Sequence, residues 1–262
     1  MKGGFKLTVP LFIKEFSEDT ESLKIFPLGD FHFEEPSTRH EIISAWLETV
    51  ERENGYIIFL GDLFDIAFFE DISAQQEVGL PLTSAVKTMA KFLDRYKDRI
   101  VAVVEGNHDQ RIRKRVGLDL LGVLCEERGI PYARGQAGII IRLGKGRNQK
   151  AVSYSFAITH GFGGGRTKGA KAQMRFWIAS VWEQIDAVLV GHIHEPAIDM
   201  WTRLEIDPRN EVIRTREILL ISVPGALGYA EYAQKKSYPP PSYRLPALTL
   251  SGREKHIEVS LI

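Results

Sequence analysis

The chain reads as an α/β protein. Three observations say so. Short, mostly apolar runs rich in β-branched residues (Leu23 to Leu28, Tyr56 to Leu60, Ile100 to Val104, Ala187 to Val190) alternate with amphipathic stretches of helical spacing. The runs are largely apolar on both parities, the pattern of strands buried on both faces. Several also end on polar residues: Gly29-Asp30, Gly61-Asp62 and Gly191-His192 follow directly, and Gly106-Asn107 follows within two residues. Chemistry therefore gathers beyond the strand C-termini, where open α/β sheets expose their ligand crevice.

In chain order, Leu23 to Leu28 is predicted as a strand. Ser37 or Thr38 then caps a helix running through Ile42, Ile43, Ala45, Trp46, Leu47 and Val50, with Glu41 at capping-box distance from Thr38. After the strand Tyr56 to Leu60, an amphipathic helix from Pro81 to Tyr96 leads into the strand Ile100 to Val104. Ile139 to Leu143 and Ala151 to Thr159 read as strands joined by the turn-rich Gly144-Lys145-Gly146-Arg147-Asn148. A helix from Ala170 to Gln184 precedes the strand Ala187 to Val190. Later strands are expected at Ile213 to Val223, Ala247 to Leu250 and Ile257 to Leu261. Tyr238-Pro239-Pro240-Pro241-Ser242 should be a stiff, extended surface connector. No internal repeat is visible.

At 262 residues, 44% hydrophobic and 26% charged, the chain can bury a full core. It is expected to form one domain over 1–262, with its motifs in 23–195 and C-terminal strands and the proline-rich connector in 196–262. The formal net charge is zero, which argues against a global polycation, but charge is unevenly placed. Residues 106–175 hold 14 basic and 4 acidic side chains, a balance of +10; residues 1–105 balance at −8 and 176–262 at −2. The lone cysteine, Cys125, lies in an apolar run and reads as a small buried residue. The first residues lack a secretory apolar stretch, and nowhere do about 18 uninterrupted apolar residues occur, as a spanning helix needs. Cytoplasmic localisation without membrane contact is the expectation.

Five segments carry the chemistry: Asp30-Phe31-His32, Gly61-Asp62-Leu63-Phe64-Asp65, Gly106-Asn107-His108-Asp109, His160-Gly161 and Gly191-His192-Ile193-His194. They hold five of the chain's seven histidines. Each is weak alone; five in this order, most after a strand-like run, point to a pair of divalent cations. A bridging carboxylate allows two cations to sit about 3.5–4 Å apart. Imidazole and carboxamide ligands fill the other positions without adding charge, and such a mixed set favours first-row transition metals. Manganese heads the expected pair, with iron, zinc, nickel or magnesium as alternatives.

This ordered set resembles the calcineurin-like metallophosphoesterase superfamily, over residues 30 to 194 and with all five blocks intact. The resemblance implies a four-layer α-β-β-α sandwich with two mixed β-sheets. It implies that Asp30, His32 and His194 hold one metal, that Asn107, His160 and His192 hold the other, and that Asp62 bridges. His108 would act as general acid or transition-state donor, with Asp109 orienting its ring. Asp65 either braces the site from behind or merely caps a helix. Where protein Ser/Thr phosphatases carry Arg before Gly-Asn-His, this chain has Glu105. Lipid A-pathway pyrophosphohydrolases usually carry Arg where His108 stands. The blocks look more like the branch of DNA-repair exonucleases and small phosphodiesterases.

The expected function is hydrolysis of a phosphodiester, nucleic acid or nucleotide, by attack of a metal-bridging hydroxide. The first rival is a phosphomonoesterase or pyrophosphohydrolase acting on a small metabolite or nucleotide. The second is a non-enzymatic scaffold, which an intact ligand set argues against. Two basic loops could bind non-reacting phosphates of DNA or RNA: Gln110-Arg111-Ile112-Arg113-Lys114-Arg115, and the glycine-rich run after His160 with Arg166 and Lys168. Arg111, Arg166 and Lys168 are the candidate substrate contacts; a solvated helix face and a flexible loop are the bland alternatives. Phe162, Phe176, Trp177 and Trp182 are expected in the core.

Overall fold

The computed structural model describes residues 9–66, 81–163, 165, 167–229, 234–235 and 237–262. Three parallel strands, β2 (Ser22–Leu28), β3 (Tyr56–Phe59) and β4 (Ile100–Val104), centre one sheet. β5 (Tyr132–Ala133) pairs with its β4 edge, and β11 (Pro246–Ser251) and β12 (Ile257–Leu261) add antiparallel to β2. The second sheet runs, in spatial order, β1 (Leu11–Glu15), β6 (Gln136–Leu143), β7 (Val152–Thr159), β8 (Ala187–Val190), β10 (Val212–Ser222) and β9 (Ala197–Asp207). Here β7, β8 and β10 are parallel. The helices are α1 (His40–Arg52), α2 (Leu82–Tyr96), α3 (Gln110–Val116), α4 (Leu120–Glu126) and α5 (Lys168–Ser180).

Three apolar clusters separate four layers. Successive side chains of a strand point to opposite faces, so Ile25 and Ile58 meet Ile139, Phe156 and Leu189 between the sheets. Their neighbours Phe26, Leu28 and Phe59 point outward to Ile43 and Trp46 of α1 and to Met89 and Leu93 of α2. On the far side, Met174 and Ile178 of α5 cover Val188, Val190 and Leu220. Each fully buried side chain of this size contributes about 1.5–3 kcal/mol of hydrophobic stabilisation. The two-sided burial read from the apolar runs and the mixed-sheet sandwich are both present. The site follows from this topology: β2, β3 and β4 send one set of loops, and β7 and β8 another, to the same end of the two sheets.

Several expectations are corrected. Thr38 does not cap α1, whose N-cap is Arg39 without a side-chain cap bond. Thr38 is instead buried, and its hydroxyl donates to the His32 carbonyl at 2.6 Å. Glu41 pairs with Arg39. The helix expected over Ala170 to Gln184 starts earlier, capped by Thr167 accepting from the Ala170 N–H, and ends at Ser180. Trp177 is 62% exposed and Phe162 60% exposed, so neither belongs to the core. Phe176 lies at the surface with its ring edge to Trp201. Strands β1, β5 and β9 and helix α4 had no expected counterpart, and α3 takes the helical alternative weighed for the run after Gln110. β1 and β9 are sheet edges whose partial exposure leaves no strong apolar run. Among the described residues, no helix is long and apolar enough to cross a membrane.

Candidate metal centre

The loops after β2, β3, β4, β7 and β8 bring seven side chains together. Asp30, His32 and His194 have ligand atoms within 4.8 Å of one another, and so do Asp62, His160 and His192. Asn107 joins the second group: its side-chain oxygen lies 2.9 Å from both His160 Nε2 and His192 Nδ1. Asp62 sits between the groups, with Oδ2 3.1 Å from His160 Nε2 and 3.8 Å from His32 Nε2. Asp30 Oδ1 is 3.2 Å from His194 Nε2. Asp30, His32, Asp62 and His160 are buried, whereas His192 and His194 open toward solvent.

The backbone bends sharply to achieve this convergence. Asp30, His32, Asp62, His192 and His194 all have positive φ, at 53°, 46°, 51°, 69° and 48°. Left-handed backbone costs an L-residue roughly 1–2 kcal/mol. Main-chain bonds hold the bends: Asp30 N–H donates to Gly61 C=O, His32 N–H to Asp62 C=O, and Ala226 N–H to Asp30 C=O. The Asp30 carboxylate also accepts from the His192 N–H at 3.0 Å, tying the β2 loop to the β8 loop.

Tautomers are set by outward hydrogen bonds. His160 Nδ1 donates to the Leu60 carbonyl at 2.7 Å, His192 Nε2 to the Gly163 carbonyl at 2.5 Å, and His32 Nδ1 to the Asp65 carboxylate at 3.1 Å. With the outward nitrogen of each ring committed to donating, the inward nitrogen is the one left to ligate a metal. Pairs of such nitrogens face each other, His32 Nε2 to His194 Nε2 at 3.3 Å and His192 Nδ1 to His160 Nε2 at 3.2 Å. Nitrogens crowded this way, with two carboxylates and a carboxamide oxygen, fit a pair of cations of the first-row transition series.

Electrostatics agree. Burial pushes the Asp62 carboxyl up, yet its bond to His160 and the nearby His160, His32 and His108 rings hold it well below the usual carboxylate range. Burial lowers His160, but Asp62 reverses this and raises it to about 9, so positive charge is favoured between the two. Desolvation leads at His32 and lowers it, which keeps the ring in the neutral form a metal ligand requires.

His108 and Asp109 part company. The Asp109 carboxylate accepts from three backbone N–H groups, those of Asp62, Phe64 and Gly106, at 2.8, 3.0 and 2.9 Å. It knits the β3 and β4 loops together, while burial and the neighbouring Asp62 charge push it up to about 7. The expectation that Asp109 orients the His108 ring is thus corrected. Asp65 does so, with its Oδ1 2.5 Å from His108 Nδ1. Asp65 is buried, contacts His32 through the same oxygen, and caps no helix among the described residues. The His108 ring stands edge-on to His32 with centroids 4.6 Å apart, so it flanks the Asp30-His32-His194 group.

The basic loops resolve unevenly. Arg111 reaches the site: Nη1 donates to the Asp65 and Ile66 carbonyls at 2.8 and 3.2 Å, and Nη2 lies 3.2 Å from His108 Nε2. Arg113 turns back to the buried Glu105, at 3.0 and 2.6 Å. Lys168 is exposed at the start of α5. Arg166 lies outside the described residues.

Lys171 closes the basic run after His160, but the roles it and Arg175 play had no sequence signal. Lys171 donates to the Ile193 carbonyl and the Glu195 carboxylate at 3.2 and 2.7 Å. Arg175, one turn on and buried, pairs with Asp199 and donates to the Ser222 hydroxyl at 3.3 Å, which itself donates to the Glu195 carbonyl. Helix α5 thereby clamps the loop that carries His192 and His194. Gly225 packs so closely on the His194 ring that a Cβ there would overlap it. The i, i+4 spacing of Lys171 and Arg175 is visible in the chain, but their partners are not.

A model of the calcineurin-like phosphoesterase family matches residues 23–196. Among solved structures, the chain is similar to GAP50, the anchor in the inner membrane complex of Plasmodium, at 11% identity and a TM-score of 0.41, over 92% of this chain and 84% of that one. No curated protein matches the sequence.

Proposed function

The chain belongs to the calcineurin-like phosphoesterase family and is a metal-dependent phosphoesterase, and from that premise we propose that its substrate is a phosphodiester, a nucleic acid or a nucleotide. The observation that carries the metal chemistry is the set of inward imidazole nitrogens, each turned toward the site by an outward hydrogen bond from the other ring nitrogen. Asp30, His32 and His194 would hold one cation and Asn107, His160 and His192 the other, with Asp62 shared. Manganese is the first choice for both. Bound cations supply Lewis acidity toward a phosphoryl oxygen and lower the pKa of water.

The remaining steps fall to the chain itself. Burial lowers His108, but the hydrogen bond to Asp65 together with the Asp62 and Asp65 charges outweighs it, and the ring's pKa is raised. The protonated ring is therefore favoured, with Nδ1 anchored and Nε2 able to donate to a leaving oxygen. Arg111 Nη2 contacts that same Nε2. When Nε2 carries a proton, the guanidinium must rest on its other partners, the Asp65 and Ile66 carbonyls.

Charge supports a diester. A phosphodiester brings one negative charge and a monoester about two near neutrality. Before Gly106 stands Glu105, neutralised by Arg113, and the Arg111 guanidinium is tethered to main-chain carbonyls. Neither of these two guanidinium groups is left free for a second phosphate charge, which suits a monoanion. The test is hydrolysis of bis-p-nitrophenyl phosphate against p-nitrophenyl phosphate by manganese-loaded protein, with His108→Ala alongside. A diesterase preference supports the reading, and the variant should lose little of it because p-nitrophenolate is a good leaving group. A monoesterase preference overturns it in favour of a small phosphorylated metabolite.

A further inference from the structure

Phe162 is 60% exposed, belongs to none of the three apolar clusters, and sits two residues after His160. Its placement is imposed by the chain around it. Gly161 and Gly163 flank it with φ of 98° and 95°, conformations that favour glycine. A Cβ on Gly161 would also meet Val190 Cγ1 at 2.9 Å and Met174 Sδ at 3.3 Å. The Phe162 N–H is directed at Met174 Sδ, and the next carbonyl, of Gly163, accepts from His192 Nε2. The segment is thus pinned on both sides of Phe162, against the His160-His192 group, while the ring itself is left in water. An apolar ring of this size gains nothing from exposure.

Its location relative to His108 gives it a meaning. His108 and Arg111 flank the Asp30-His32-His194 group, and Phe162 flanks the Asp62-His160-His192 group. The His108 ring therefore stands beside one group, and the segment carrying Phe162 is pinned to the other. A phosphodiester bound across both groups with its leaving oxygen at His108 would have its retained substituent on the Phe162 side. We propose that Phe162 is a stacking platform for the nucleobase on the retained, non-leaving side of the substrate. This rests on the phosphodiesterase reading for its orientation, and it narrows the substrate class to nucleotides or nucleic acid. The product that keeps the phosphate is then a 5′- or 3′-nucleotide seated on Phe162. An aromatic face supplies base-tolerant stacking.

The test is binding, measured by calorimetry on manganese-loaded protein with thymidine 5′-monophosphate, thymidine 3′-monophosphate and inorganic phosphate as probes. The wild type should bind one of the two nucleotides more tightly than phosphate. Phe162→Ala should lose ~5-fold to ~100-fold of that nucleotide's affinity, the range of one base–aromatic stack, with phosphate affinity unchanged. Phe162→Trp should retain or improve nucleotide binding. Equal affinity of Phe162→Ala and wild type for both nucleotides overturns the proposal, as does an equal loss for nucleotide and phosphate. Hydrolysis of bis-p-nitrophenyl phosphate, run in parallel, separates the two readings. A protein that binds nucleotide through Phe162 yet leaves diesters intact keeps the platform and loses the diesterase. A diesterase indifferent to Phe162→Ala keeps the activity and loses the platform.

Discussion

The Asp65 carboxylate lies 2.5 Å from His108 Nδ1 and shares the same oxygen with His32 Nδ1 at 3.1 Å. One buried oxygen thus orients both a proposed metal ligand and the proposed proton donor. Asp65→Asn should disturb both at once. Outer partners of ligating histidines are worth about 10–100-fold in affinity or activity. The variant should lose turnover within that range and bind metal more weakly. Metal titration beside kcat/KM measures both, and loss of activity at full metal affinity would confine Asp65 to His108.

Asp62→Asn should weaken both metals, because Oδ2 faces His160 and His32 together. Metal content after dialysis should drop below two per chain and turnover should vanish. Two retained metals with full activity would remove Asp62 from the bridging position.

His108→Ala should keep both metals, since the ring stands edge-on to His32 and belongs to neither the Asp30-His32-His194 nor the Asp62-His160-His192 group. Turnover of a substrate with a poor leaving group should fall by ~10²–10⁴-fold, the range for a positioned acid. A p-nitrophenolate leaving group needs little protonation and should suffer less. Equal losses for both leaving groups would point to a role in binding.

Gly225→Ala offers a selective lesion. The added methyl overlaps the His194 ring, so the Asp30-His32-His194 group should lose affinity while the His160-His192 group retains it. Metal stoichiometry should approach one per chain at limiting metal. Loss of both metals would mean the two groups bind as a unit.

Burial, with the Asp109 and Asp119 charges behind it, pushes the Cys125 thiol up to about 12. Folding then favours the neutral thiol. Its contribution is complete below the unfolded value near 9 and fades as pH rises from there toward 12. Iodoacetamide at pH 8 should leave native protein unmodified and label it promptly in denaturant. Rapid native labelling would show that the α4 region opens readily.

Much of the centre was legible in the chain because its residues come in blocks. Asp30, His32, Asp62, Asn107, His160, His192 and His194 each follow a strand within a few residues, so a strand-end reading brings them together. What each carboxylate touches was not legible. Asp109 adjoins His108 in sequence, yet the turn aims it at three backbone N–H groups, and Asp65, 43 residues away, takes its place. The clamp by Lys171 and Arg175 and the seat at Gly225 depend on contacts 20 to 50 residues distant, or on a loop without motif. Edge strand β9 escaped notice because one-sided exposure leaves a mixed run such as Met200-Trp201-Thr202-Arg203. Trp177 and Phe162 misled for the opposite reason: apolar letters suggest burial, and tertiary placement left them in water.

The five left-handed ligand positions set this protein's evolvability against its stability. At Asp30, His32, Asp62, His192 and His194 the backbone adopts angles that glycine takes freely. A population of variants selected only for heat resistance has an easy route: replacing these side chains removes backbone strain and buried charge together. The most stable descendants of this sequence would be inert. Retention of all five residues under thermal selection would therefore require that bound metal return more stability than the bends remove, so metal supply during selection would decide whether the catalytic centre survives.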